Sequence, residues 1–181
     1  MLHLGWGDGH GFCISGQPEL EMNSVANYTE PSLIVSLLRS RDAAGITAEL
    51  CSMLERQGVI TDLLPFYHEV ISREALSSSA MSPGWALPHA RIAGIPRLCF
   101  ALGRTAEPLV WFGGEVVSMV FLFAVPQNQA AAYLCLIAGL AKLSQDHARL
   151  ERLTVASDSR AMLDVLQEMP LPKRRSAAVT V

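Results

Sequence analysis

The sequence predicts an α/β fold in which a mixed β-sheet is sandwiched between helices on both faces. Three observations lead there. Strand-like runs and helical periodicities follow one another in the order strand, helices, several strands, helices. VVSMVFLFAV, from Val116 to Val125, is apolar at nearly every position, the pattern of a strand covered on both faces. The 181 residues are 50% hydrophobic and only 17% charged, enough to bury one sizeable core.

From Met1 the opening HLGWGDGHGF is Gly-rich and has no helical or alternating pattern, so residues 1–29 are expected to form a disordered or poorly ordered extension. His3 and His10 match no common metal-ligand spacing. Order is expected over residues 30–170, beginning with SLIVSLL, Ser32 to Leu38, as a strand. After Ser-Arg-Asp, the residues Ala43, Ile46, Leu50, Met53 and Leu54 recur at helical spacing, and Gly58 follows as a C-terminal stop. Thr61 or Asp62 caps a second helix whose apolar face is expected to comprise Leu64, Tyr67, Val70, Ile71 and Leu76.

A serine run, Ser77 to Ser79, leads into the short WAL strand. Pro88, with no backbone N–H and a fixed φ, is expected to mark where sheet pairing ends, leaving His89 at a strand end. LCFALGR, Leu98 to Arg104, reads as the next strand, and WFGGE supplies a Gly-Gly turn into the Val116–Val125 strand. The remainder is helical: AAAYLCLIAGLAKLSQD, then about His147 to Val155, then Asp158 to Met169 with Asp158 as cap. Residues 171–181, with prolines and a basic triplet, are expected to form a flexible tail.

Several function classes are disfavoured. A net charge of -3 leaves no broad basic surface for nucleic acid. The apolar stretch from Val116 to Leu143 is split by VPQNQ into runs too short to cross a bilayer, so direct membrane insertion is not expected. The four cysteines form no CxxC pair and read as reduced and structural. With no basic segment preceding an apolar stretch at the amino terminus, they point to a cytoplasmic protein. There is no Gly-x-Ser-x-Gly elbow, Walker loop or dinucleotide fingerprint, and His68 and His147 lie on helices without companions at ligand spacing.

REALSSSAMSPGWALPHARIAGI, Arg73 to Ile95, resembles the active-site segment of the fructose, mannitol and nitrogen-regulatory (type 2) class of enzyme IIA proteins of the bacterial phosphotransferase system. In that family an arginine and a small polar turn precede a Gly-x-Ala-x-Pro-His strand end whose histidine is phosphorylated. Arg73, Ser79, Gly84, Ala86, Pro88 and His89 fall at the matching positions. The order and length of the other elements extend the likeness from Pro31 to Met169.

The resemblance implies a cytoplasmic phosphocarrier that takes a phosphoryl group from an HPr-like phosphocarrier protein onto His89 and passes it to an enzyme IIB component. The alternative it leaves is a regulatory binding module, whose affinity for a protein target is switched by phosphorylation or which has lost transfer. Chemistry suits the roles. Imidazole is neutral near pH 7 and a good phosphoryl leaving group, Arg73 donates in a fork to phosphoryl oxygens, and Ser79 offers a hydroxyl, with no metal or other cofactor required. Arg91 and Arg104 read as solvated cations free to border a partner surface. The family's second histidine, which faces the phosphorylated one, corresponds here to Tyr133, followed by Leu134. Tyr133 also shares an apolar helix face with Leu136, Leu140 and Leu143, so packing is its alternative role.

Overall fold

The computed structural model describes residues 24–171. In chain order it contains β1 (Ile34–Val35), α1 (Ala43–Arg56), α2 (Leu63–Leu76), β2 (Ala80–Met81), β3 (Trp85–Ala86), β4 (His89–Ala90), β5 (Cys99–Val110), β6 (Val116–Ala124), α3 (Ala130–Leu143), α4 (His147–Val155) and α5 (Ser159–Gln167). The sheet runs β1-β5-β6-β3-β2, with β4 also paired to β6. It is mixed: β5 and β6 are an antiparallel hairpin, whereas β1 on β5, and β3 and β4 on β6, are parallel.

Alternation along the strands builds two cores. Phe100, Leu102, Phe121 and Phe123 join Trp85 and Leu87 in one, against α3, α4 and α5. Cys99, Ala101, Val120, Leu122 and Ala124 join Ala86 and Ala90 in the other, against α1 and α2. The period-2 geometry of a strand sends neighbouring residues to opposite faces, so one apolar run feeds both layers. Burial pushes the thiols of Cys51 and Cys99 up to about 12, so both stay protonated as small core groups.

Helix ends follow their local chemistry. Asp42, Asp62 and Asp158 each accept a hydrogen bond from a first-turn N–H, at 2.8, 3.0 and 2.9 Å. Gly58, just beyond α1, has φ +65°, the left-handed conformation that glycine takes without strain. The hairpin turn at Trp111–Glu115 closes through the Trp111 N–H to the Glu115 carbonyl at 2.8 Å.

At the end of the expected extension Val25, Ala26 and Tyr28 are buried in a short 3-10 turn, and Ser24 bridges Pro170. The rest of the expected extension and of the expected tail lies outside the described residues. The first strand shrinks to Ile34–Val35, because Pro31–Leu33 forms a 3-10 turn begun by a proline that cannot donate to a ladder. β5 continues past Arg104 to Val110 through an irregularity between Arg104 and Leu109 that contains Pro108, the sort of position where a strand tolerates proline.

Pro88 interrupts sheet pairing without ending it. The Pro88 carbonyl accepts from the Phe123 N–H at 2.9 Å, and β4 resumes on β6 with His89 opposite Phe123. His89 therefore sits on a resumed two-residue strand at the margin of the sheet.

Candidate functional site

Helix α2 brings the first component. Phe66, Val70 and Glu74 occupy its buried stripe at four-residue spacing. Leu64 and Leu76, expected on the apolar face, are instead exposed because the face is rotated toward Phe66. Arg73 stands beside Glu74 on the last turn, half exposed, with Glu69 3.8 Å away across one helical turn.

Arg73 Nη2 lies 3.0 Å from His89 Nε2. A guanidinium only donates, so Nε2 must offer its lone pair and the ring proton belongs on Nδ1. Nδ1 is buried and has no hydrogen-bond partner among the described residues. Burial, and then the Arg73 charge, hold the His89 pKa below its ordinary 6.5, against an opposing pull from Glu74, the Leu87 backbone and Glu69. The ring is thus neutral at pH 7, with its nucleophilic nitrogen turned toward a cation.

Helix α3 brings the second component. The Tyr133 ring lies 5.2 Å from the His89 ring, tilted by 31°, and packs edge-on against Phe123 at 5.5 Å. Burial pushes the Tyr133 hydroxyl up to about 12, so it stays protonated. Tyr133 therefore occupies the side of His89 at which the resemblance places a second histidine, and it also packs on the aromatic core.

Ser79 enters less directly. It extends the β2–β3 pairing, with its Oγ accepting from the Leu87 N–H at 3.1 Å, and Leu87 is two residues from His89. Among the described residues it makes no hydrogen bond to His89, and its own O–H proton has no acceptor. The β2–β3 turn depends on Gly84, at φ +94°, whose carbonyl accepts from the Ser118 N–H at 2.8 Å.

The geometry thus brings His89, Arg73 and Tyr133 into contact and joins Ser79 through Leu87. Arg91 and Arg104 are not free cations: their guanidiniums donate to the backbone carbonyls of Gln127 and Thr154, fastening the loop before α3 and the end of α4. His68 and His147 are exposed. Among the described residues no three His, Cys, Asp or Glu side chains are grouped to hold a metal ion, and no helix is long and apolar enough to cross a membrane.

Glu74 and Trp111 escaped sequence reasoning. Glu74 is 4% exposed, and its Oε2 accepts both the Ser79 N–H at 3.0 Å and the Trp111 indole N–H at 2.7 Å. Its signal was present, since Glu74 continues the Phe66, Val70 spacing onto the buried face.

His89 is thus a half-buried neutral histidine under an arginine, on the margin of a mixed sheet enclosed by helices. The family of the phosphoenolpyruvate-dependent sugar phosphotransferase system, EIIA 2, matches residues 27–169, and the chain belongs to it. Among its relatives is the 2-O-alpha-mannosyl-D-glycerate-specific EIIABC component of the phosphotransferase system of Escherichia coli, 33% identical over 64% of this chain. The match spans only 18% of that relative's length. The nitrogen regulatory protein IIA-Ntr of Neisseria meningitidis superposes with a TM-score of 0.66 at 26% identity, covering 78% of this chain and 98% of its own. The complex of enzyme IIAMTL with phosphorylated enzyme IIBMTL from Escherichia coli superposes with a TM-score of 0.65 over 76% of this chain and 96% of that one; at 15% identity it speaks for the fold alone.

Proposed function

We propose that the chain is a cytoplasmic phosphocarrier that accepts a phosphoryl group on His89 Nε2 from an HPr-like phosphocarrier protein and delivers it to an enzyme IIB component. The observation that carries this reading is the 3.0 Å approach of Arg73 to an Nε2 that must present its lone pair. In the forward step that lone pair attacks phosphorus, the new N–P bond forms, and the donor's N–P bond breaks with its electron pair returning to the donor imidazole. Arg73 then exchanges the ring nitrogen for phosphoryl oxygens, where a charge-assisted contact is strongest. The Ser79 hydroxyl, anchored through its oxygen by Leu87, has a proton to donate. Tyr133 offers a neutral donor where a second histidine would add charge.

Support for an enzyme IIB recipient comes from the family and from the 33% identical relative, which is an EIIABC component. A regulatory reading has its own support. The likeness to IIA-Ntr is a likeness to a regulatory protein, and Tyr133 removes the second histidine from the site. Onward transfer separates the two.

The test is incubation of the purified chain with phosphoenolpyruvate, enzyme I and HPr, followed by detection of acid-labile phosphohistidine. Wild type is expected to label, and His89→Ala is expected to lose the label entirely. Labelling of His89→Ala at the wild-type rate would overturn the proposal. Loss of label on addition of a IIB protein supports the carrier reading, whereas a stable label supports the regulatory one.

A further inference from the structure

Glu74 places a carboxylate where its helix offers the core an apolar stripe. At 4% exposure, and with no cation paired to it among the described residues, it forgoes hydration that a leucine at this position would not need. Its hydrogen bonds offset that cost and tie together segments that packing alone would leave unlinked.

Its two bonds reach separate segments, one of which leads to His89. The Ser79 N–H, 3.0 Å away, belongs to the turn after α2. Ser79 in turn receives the Leu87 N–H on its Oγ at 3.1 Å and on its carbonyl at 3.3 Å, which fixes the segment two residues ahead of His89. The Trp111 indole N–H, 2.7 Å away, belongs to the β5–β6 hairpin turn. That turn meets the same serine run a second time, through Ser78 Oγ and Glu115 Oε2 at 3.0 Å. On the helix itself Glu74 adjoins Arg73.

Resting on the phosphocarrier reading, we propose that Glu74 is a positioning residue for phosphoryl capture: its carboxylate locks the Ser79 turn to the Trp111 hairpin and so holds Arg73 and His89 at their working separation. Glu74 touches neither the ring nor the incoming group. Its charge is felt at the ring all the same. The groups bearing on His89 are Arg73, Glu69 and Glu74 from α2, the Leu87 backbone, and the neutral Tyr133 from α3, and Glu74 is the leading influence that keeps the ring basic.

The experiment uses potassium phosphoramidate, which phosphorylates imidazoles without any partner protein, and follows His89 by NMR in the full chain. Glu74→Leu removes both acceptor contacts at similar volume and is expected to slow His89 labelling roughly tenfold or more, since small misplacements of a reacting pair are costly. Glu74→Gln keeps an acceptor for both donors, so labelling is expected to return to within about threefold of wild type while the His89 titration midpoint falls, a shift that packing alone does not produce. Labelling of a folded Glu74→Leu at the wild-type rate overturns the proposal. Should Glu74→Leu not fold, hydrogen exchange in wild type decides: protected Ser79 amide and Trp111 indole protons sustain it, and exchange at the rate of free groups overturns it. If phosphoramidate labels His89 while the enzyme I and HPr cascade does not, the phosphocarrier reading fails and the role of Glu74 is still decided.

Discussion

The two faces of the sheet are built from the same strands with opposite materials. Against α3, α4 and α5 the strands present Trp85, Phe100, Phe121 and Phe123, which contact one another with ring centroids 4.9 to 5.8 Å apart. Against α1 and α2 they present Ala86, Ala90, Cys99, Ala101 and Ala124 beside Val120 and Leu122, none of them aromatic, and the helices add Leu50, Leu54 and Phe66. The aromatic face gives the site a rigid apolar wall, ending in Tyr133. The small-residue face lets a helix bring charge to the same spot, through Arg73 and Glu74. His89 stands where the two meet, desolvated by one side and polarised by the other.

Breaking the aromatic wall is the largest expected effect on stability. Phe121→Ala is expected to cost about 3 to 5 kcal/mol through lost burial and the cavity left behind, whereas Cys99→Ala on the opposite face costs roughly 1 kcal/mol. Urea denaturation of both variants checks the contrast, and equal losses would erase the distinction between the faces.

Removing the charged contribution comes next. Arg73→Ala is expected to lower the rate of His89 phosphorylation by about 1.5 to 3 kcal/mol of lost charge-assisted contact. Arg91→Ala loosens only the Gln127 carbonyl and is expected to change the rate far less. Initial labelling rates at unchanged circular dichroism decide between them.

Titration sharpens the comparison further. Because burial and Arg73 hold the His89 pKa below 6.5, its NMR titration midpoint is expected below that value, and Arg73→Ala is expected to raise it. The sign for stability follows. Between the folded midpoint and 6.5 the unfolded chain binds more protons, so the His89 contribution rises with pH through that window and is complete above it. A midpoint at or above 6.5 would contradict the assigned burial and Arg73 contact.

The smallest effect belongs to Tyr133. Tyr133→His restores a group able to carry charge and is expected to raise the initial rate of phosphorylation or of transfer to a IIB partner by a few-fold, while Tyr133→Phe removes one donor and lowers it. If neither variant moves either rate, Tyr133 serves the aromatic wall alone.

Local chemistry alone determined much of this protein. Aspartates at 42, 62 and 158 begin helices, Gly58 ends one, Gly113 and Gly114 turn the hairpin, and the Val116–Val125 run reads as a central strand, because caps, turns and burial on both faces are written into adjacent residues. The Arg73, Ser79, Pro88 and His89 motif was legible through its resemblance to the enzyme IIA family, carried by residues at short, fixed spacing.

Only the tertiary structure decided what depends on partners distant in the chain. Two-residue strands such as β2 and β4 carry no periodicity of their own and exist because β3 and β6 lie beside them. Which face of α2 is buried was settled by the sheet it packs on, and this turned Leu64 and Leu76 outward and Glu74 inward. The stacking of Tyr133 on His89 and the meeting of Glu74 with Trp111 join residues 44 and 37 positions apart. No pattern within either segment encodes such distances, since they are fixed only when the two faces of the sheet close on its margin.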